Sequence, residues 1–140
     1  MTDTALMHAS CVAVSGRGVL IVGPSSSGKS ALALQLMAYG ADLVADDQTE
    51  LTRHDATLIA CCPAQLSGLI EARGIGILRA PALQQTQVFL MVDLGTAETD
   101  RLPPHRTVTL LGLQLDLVLG HGNAHLAAAV LCSLKGSRQA

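Results

Sequence analysis

The stretch VLIVGPSSSGKSALALQLM, residues 19–37, carries the strongest structural pattern in the sequence. An apolar run, Val19–Val22, leads into a loop that fits the pattern GxxxxGK[ST], and a second apolar run follows the loop. The first run predicts a buried strand, and the second predicts a helix from Lys29 to about Tyr39. This strand–loop–helix setting is what a phosphate-binding loop requires. The residues therefore predict an α/β domain with a site for a nucleoside triphosphate.

Each fixed position of the loop has a physical reason. The two glycines let successive N–H groups point into one hollow, and the following helix adds the positive end of its dipole. Lys29 is expected to reach the β- and γ-phosphates, and the Ser30 hydroxyl to bind Mg²⁺. The predicted nucleotide-binding residues are Gly23, Pro24, Ser25, Ser26, Ser27, Gly28, Lys29 and Ser30. The alternative is a serine-rich turn that only links a strand to a helix.

The composition argues against several other functions. The 140 residues are 49% hydrophobic and 14% charged, which predicts one domain over residues 1–140 with one core. With a net charge of -2 and only two aromatic residues, no nucleic-acid partner is expected. No apolar run reaches the roughly 18 residues that span a bilayer, and the N-terminus does not resemble a signal peptide. The four cysteines have no zinc spacing and are interpreted as reduced core thiols, so a cytoplasmic protein is predicted.

Short apolar runs and turn residues alternate along the rest of the chain. Strands are predicted at residues 11–14, 19–22, 43–45, 49–52, 57–60, 88–94, 108–111 and 115–119. Gly40 is expected to cap the first helix, whose buried positions are predicted to be Leu32, Leu34, Leu36 and Met37. A polar loop over Thr96–Arg106 and a closing helix over Ala124–Leu134 complete an α/β fold that is rich in strands.

Charged residues at two places are candidates for chemistry. Asp46 and Asp47 end a short apolar strand, where the functional groups of α/β sheets collect. One acid there can hold Mg²⁺ while the other orients or deprotonates an acceptor hydroxyl, or only one of the two acts. Glu71 and Arg73 precede a Gly-Ile-Gly turn, and they are interpreted either as site residues or as a buried ion pair.

Three motifs in order, GVLIVGPSSSGKS, ADLVADD and IEARGIGI, resemble the catalytic domain of the bacterial HPr kinase/phosphorylase family. The resemblance covers residues 5–95 well and the remainder loosely. It implies a strand-rich α/β P-loop kinase domain of the HPr kinase/phosphoenolpyruvate carboxykinase type. It also implies ATP- and Mg²⁺-dependent phosphorylation of a serine on the phosphocarrier protein HPr or an HPr-like carrier. A nucleotide-binding regulatory module without robust catalysis is the alternative, and retention of the reverse phosphorylase reaction is left open.

The resemblance further implies roles for single residues and an assembly. Asp46 would be the general base, His8 would lie against Asp46 and tune it, and Arg73 would help organise the site. The implied ligands around Mg²⁺ are Ser30, Asp47 and Glu71. Members of the family assemble into hexamers, so a homo-oligomer is expected.

The C-terminal third departs from the family. Full-length members carry an additional N-terminal domain that is not part of this sequence, and they have a longer loop followed by an arginine-bearing segment. Here the loop is compressed to about Thr96–Arg106, and the later segment reads VLGHGNAHLAAA. Arg101 or Arg106 is a candidate to replace the arginine of the family's segment as the cation that stabilises the transition state. His121 is interpreted as part of a polar loop and His125 as a residue at the start of a helix, and not as ligands of a metal site.

Overall fold

A computed structural model of the chain describes residues 3–139. The strands are β1 (Thr4–Met7), β2 (Ser10–Val14), β3 (Arg17–Val22), β4 (Asp42–Ala45), β5 (Thr49–His54), β6 (Thr57–Cys61), β7 (Leu69–Ala72), β8 (Gly76–Arg79), β9 (Gln85–Asp93), β10 (Arg106–Leu110) and β11 (Leu113–Leu119). The helices are α1 (Lys29–Ala38) and α2 (Leu126–Gly136), and a 3₁₀ turn covers Ala64–Leu66.

Nine strands form one mixed sheet, and β7 and β8 form a separate hairpin. The sheet follows the order β1-β5-β6-β9-β3-β2-β4, with β11 and then β10 attached to the C-terminal half of β9. Both β3 and β11 run parallel to β9, whose last residue, Asp93, is opposite Val22 on one side and Leu119 on the other. The carboxyl ends of these three strands therefore meet at one edge of the sheet, and the loops that follow them lie side by side.

Apolar residues cover both faces of the sheet. Ile21 packs with Leu36 of α1 and with α2 in one cluster, whereas Leu20 packs with Leu51 in a second cluster. Adjacent residues of a strand point to opposite faces, so a strand that is buried on both sides needs a continuous apolar run. This explains why the run Val19–Val22 shows no alternation between apolar and polar residues.

The predicted helices and the eight predicted strands are confirmed, with their ends displaced by three residues or fewer. Gly40 follows the end of α1 with φ of 104° and donates its N–H to Met37, as expected of a helix cap. Within α1, however, Ala33 is buried while Leu34 and Met37 are only partly buried. Strands β1, β7 and β8 are not among the predicted strands, because each is only four residues long. Strands β1 and β8 also contain no buried residue, so their sequences carry no burial pattern.

The cysteines differ in their surroundings, although all four are free thiols. Cys11 is buried, and burial raises the pKa of its thiol to about 12. Cys61 and Cys62 are partly buried, and Cys132 is exposed on α2. The interpretation of all four as core residues is therefore right for Cys11 and wrong for Cys132. Over residues 3–139, no helix is both long and apolar enough to cross a membrane.

Replacement of Leu20 by Ala tests the core on the face away from the helices. Leu20 is 0% exposed, so Leu20→Ala should lower the free energy of unfolding by about 2–5 kcal/mol through lost burial and a residual cavity. Leu6→Ala is the matched control, because Leu6 is 60% exposed and its loss should cost less than about 1 kcal/mol. Urea unfolding measures both, and equal losses would contradict the assignment of the core.

Candidate active site around the phosphate loop

The phosphate loop joins the end of β3 to the start of α1. Its first and last glycines have φ of 151° and 101°, in the region that side chains resist. A Cβ atom on Gly23 would lie 2.6 Å from Ser27 Oγ, so the first position requires glycine for space as well. Lys29 Nζ donates to the carbonyl oxygens of Gly23 at 2.9 Å and Pro24 at 3.2 Å, which holds its ammonium group against the loop.

The start of α1 is suited to an anion. The first intrahelical hydrogen bond runs from Leu32 N–H to Gly28 at 2.9 Å, so the N–H groups ahead of Leu32 have no partner within the helix. No acidic residue lies in the first turn of α1 to repel a phosphate. Unpaired N–H groups, the helix dipole and the Lys29 ammonium therefore fit the phosphates of a nucleotide.

Asp46 lies at the end of β4 and is only 8% exposed. Its Oδ1 accepts hydrogen bonds from Ser10 Oγ and Ser30 Oγ, each at 2.7 Å, and its Oδ2 accepts the Glu71 N–H at 3.0 Å. The three donors come from β2, α1 and β7. Asp46 therefore connects the phosphate loop to the sheet and to the β7–β8 hairpin.

Asp47 has a different environment from its neighbour. It has φ of 68°, a left-handed conformation that Asp tolerates better than most residues, and its side chain is exposed. Asp47 lines a cavity of about 570 Å³, here called the loop cavity, whose wall also includes Lys29, Ser30, Glu71 and Arg73. The structure therefore brings the predicted phosphate, metal and acid groups together around one open space.

The β7–β8 hairpin carries Glu71 and Arg73 to the loop cavity. Arg73 Nη2 donates to Ser26 Oγ at 3.2 Å, a contact between the hairpin and the phosphate loop. Both charged side chains are exposed, and no ion pair joins them in the described part of the chain. The alternative interpretation as a buried ion pair is therefore wrong, and the interpretation as site residues is the one that the geometry favours.

His8 is exposed in the bend between β1 and β2 and is not among the donors to Asp46. Ser10, two residues later, makes that contact instead, although no sequence motif predicts it. A single serine at the start of an apolar strand is a weak signal, since only the folded strand pairing brings it to Asp46. The Ala9 N–H donates to the Asp47 carbonyl at 3.1 Å, so the bend with His8 lies beside the backbone of Asp47.

The two candidate replacement cations lie away from the loop cavity. Arg106 makes a bidentate contact with Glu98, at 2.7 Å from Nε and 2.9 Å from Nη2. Arg106 lines another cavity, between β9, β11 and the end of α2, and Arg101 is exposed in the preceding loop. Neither arginine is in the wall of the loop cavity, whose cations are Lys29 and Arg73.

A metal ion at this site would need ligands from a bound nucleotide. Over residues 3–139, no three His, Cys, Asp or Glu side chains converge closely enough to hold a metal by themselves. Mg²⁺ is commonly held by one or two carboxylates, water and substrate phosphates rather than by an all-protein cage. The oxygen donors around the loop cavity fit that mode of binding.

The strand-rich sheet and the phosphate loop at the start of α1 define an α/β P-loop kinase domain, as predicted. The protein-family model of the HPr Serine kinase C-terminal domain matches residues 1–106. The chain therefore belongs to this family of protein serine kinase domains.

Known proteins similar to this chain agree with the family. It is 37% identical over 127 residues to the HPr kinase/phosphorylase of Aromatoleum aromaticum and 44% identical over 143 residues to that of Polaromonas sp.. The alignments cover 81% and 92% of this chain but 41% and 45% of those relatives, so the chain spans less than half of their length. The solved structure of the Hpr(Ser) kinase/phosphatase from Coxiella burnetii matches with a TM-score of 0.80, at 28% identity over 94% of each chain.

Loss of the loop lysine should weaken nucleotide binding. Lys29→Ala removes the ammonium group from the phosphate site, so the affinity for ATP measured by calorimetry should fall at least about tenfold, or about 1.4 kcal/mol. Lys135→Ala removes the chain's other lysine, at the end of α2, and is the matched control. Equal affinities for ATP in the two variants would contradict the assignment of the loop.

The contact between Glu98 and Arg106 predicts that part of the stability of the folded chain depends on pH. Hydrogen bonds from Arg106 hold the pKa of Glu98 at about 2, below its usual 4.5. Because the folded pKa is lowered, the stabilising contribution of this pair is present above about pH 4.5 and is lost as the pH falls through about 2. A carboxyl titration by NMR should show the low pKa in the wild type and a return toward 4.5 in Arg106→Gln. An unchanged Glu98 pKa in the variant would rule out Arg106 as its cause.

Proposed function

We propose that this chain is the catalytic domain of an ATP- and Mg²⁺-dependent protein serine kinase that acts on HPr or an HPr-like phosphocarrier protein. The observation that carries the proposal is the loop cavity, where the phosphate loop and the accessible carboxylate of Asp47 face the same space. The names of the related proteins support HPr as the substrate.

The transferred phosphoryl group is held by groups of this chain. Lys29 and the N–H groups at the start of α1 bind the phosphates, and Arg73 supplies a second positive charge at the cavity wall. Ser30 and Glu71, together with oxygens of the bound nucleotide, would hold Mg²⁺. When bound with ATP, Mg²⁺ neutralises charge on the phosphates. In the transfer, the serine oxygen forms a bond to the γ-phosphorus, the bond from that phosphorus to ADP breaks, and the serine proton goes to a carboxylate.

We assign the role of base to Asp47 rather than to Asp46, in a departure from what the family resemblance implies. A general base needs an oxygen within hydrogen-bond reach of the acceptor hydroxyl. Both oxygens of Asp46 already accept hydrogen bonds, and the residue is almost fully buried. Asp47 is exposed in the wall of the loop cavity, and the bend that carries His8 lies beside it. In this assignment His8 acts on Asp47, and Asp46 holds Ser30 in place.

A nucleotide-binding regulatory module is the second candidate function. It is favoured by the placement of Arg101 and Arg106 outside the loop cavity, which leaves Lys29 and Arg73 as the positive charges there.

The reverse reaction, in which phosphate attacks phosphoserine, stays a prediction. So do the homo-oligomer, a hexamer by family resemblance, the cytoplasmic location, and the expectation that neither nucleic acid nor a membrane is a partner.

The assignment of the base is tested by comparing Asp47→Asn with Asp46→Asn. Asp47→Asn should leave the affinity for ATP and the stability close to those of the wild type and lower phosphoryl transfer about 100-fold or more. Asp46→Asn should lower the free energy of unfolding by about 1–3 kcal/mol, because a buried hydrogen-bonded carboxylate is lost, and weaken ATP binding as well. The measurement is transfer of label from γ-labelled ATP to a serine of purified HPr.

Two results would contradict the proposal in different ways. If Asp46→Asn kept its stability and ATP affinity but lost transfer, while Asp47→Asn remained active, Asp46 would be the base. If the wild type bound ATP tightly and labelled no HPr serine, the regulatory module would replace the kinase.

A further inference from the structure

A second cavity, of about 340 Å³, lies on the neighbouring face of α1. We call it the neutral cavity, because its wall contains no Asp, Glu, Lys or Arg. Leu32 and Gln35 of α1 line the neutral cavity, whereas Leu34 lines the loop cavity. Gly28 and Ala31 line both. The two cavities therefore adjoin across the start of α1, where the phosphates are expected to bind.

The opposite wall of the neutral cavity comes from the loops after β9 and β11. These loops reach the phosphate loop because their strands run parallel to β3 and end at the same edge of the sheet. The Gly120 N–H donates to Asp93 at 2.8 Å, and the His121 N–H donates to Thr96 at 3.1 Å. These long-range hydrogen bonds fix the segment that follows β11 beside Leu94.

The imidazole of His121 has a defined arrangement of hydrogen bonds. Its Nδ1 lies 3.1 Å from the carbonyl oxygen of Leu94, and since a carbonyl only accepts, Nδ1 carries the proton in the neutral ring. Nε2 is then an acceptor. Asn123 Oδ1 accepts the His125 N–H at 3.0 Å, which leaves the Asn123 amide nitrogen as a donor. The wall thus offers one acceptor and one donor close together in sequence.

The remaining features of the neutral cavity also suit an uncharged, partly apolar group. Leu32, Leu94 and Leu126 supply apolar surface. The Ser27 hydroxyl, also in the wall, is buried and has no hydrogen-bond partner among the described residues. The volume is at the small end of the roughly 300–1,000 Å³ of ligand pockets, which fits one heterocycle with its sugar rather than a protein segment.

We propose that the neutral cavity is the nucleoside subsite and that it takes a base with an exocyclic amino group next to a ring nitrogen, as in adenine. An amino group donates to His121 Nε2, and the ring nitrogen accepts from the Asn123 amide; guanine presents a carbonyl oxygen where adenine presents the amino group. This inference rests on the proposed function, because it assumes that the phosphates of the same nucleotide occupy the loop. It divides nucleotide recognition between a charged cavity for phosphate and a neutral one for the nucleoside.

The test compares three probes, ATP, GTP and inorganic tripolyphosphate, by calorimetry with Mg²⁺. The wild type should bind ATP more tightly than GTP and tripolyphosphate. His121→Ala should weaken the affinity for ATP about 3- to 10-fold, as expected for the loss of one hydrogen bond, and should remove the preference for ATP over GTP. Its affinity for tripolyphosphate should stay within about twofold of the wild-type value. Ala124 is at an exposed position in the wall, and Ala124→Leu should fill part of the cavity. This variant should therefore lower the affinities for ATP and GTP alike and leave the affinity for tripolyphosphate unchanged. His125→Ala, outside the wall, is the matched control.

The outcomes separate this inference from the proposed function. Parallel losses of ATP and tripolyphosphate affinity in His121→Ala would show that the histidine only positions the phosphate loop, and would overturn the inference. Unchanged ATP affinity in both His121→Ala and Ala124→Leu would place the nucleoside elsewhere and overturn it too, while leaving the phosphate loop in place. A wild-type chain that binds neither ATP nor tripolyphosphate would overturn the proposed function, and the inference with it.

Discussion

The buried carboxylate of Asp46 is the constraint on which the geometry of the site depends. A carboxylate removed from water is costly unless its oxygens are hydrogen-bonded. Here the donors are the hydroxyls of Ser10 and Ser30 and the backbone N–H of Glu71. Each donor belongs to a different element, so the strand β2, the first turn of α1 and the β7–β8 hairpin must all be in place before Asp46 is satisfied. The relative position of the phosphate loop and the hairpin follows from this one side chain.

The parallel strands explain how the space around the loop is divided. Strands β3, β9 and β11 end together, and β4 ends at Asp46 on the other side of α1 from their loops. The charged residues of the site come from β4, α1 and the hairpin and surround the loop cavity. Uncharged residues after β9 and β11 surround the neutral cavity. Phosphate chemistry and nucleoside recognition are therefore assigned to neighbouring faces of the same helix.

The sequence predicts the features that depend on local chemistry and misses those that depend on distant pairing. The phosphate loop and α1 follow from glycine positions and apolar runs within residues 19–37, and the structure agrees. Asp46 and Asp47 look alike in sequence, and only the end of β4 makes one buried and the other exposed. Ser10 and His121 reach the site through strand pairings with residues far away in the chain, so no short motif predicts their positions. The exposed strand β8 exists because it pairs with β7, and its own residues carry no pattern of burial.

A double-mutant cycle on Ser30 and Asp46 measures whether the buried carboxylate holds the phosphate loop in place. Urea unfolding of Ser30→Ala, Asp46→Ala and the double variant gives the energy by which the two side chains are coupled. Since Ser30 Oγ donates to Asp46 Oδ1 at 2.7 Å in the folded chain, we predict a coupling of about 1 kcal/mol or more. Effects that add within about 0.3–0.5 kcal/mol would mean that the two side chains do not interact, and that Asp46 does not hold the phosphate loop in place.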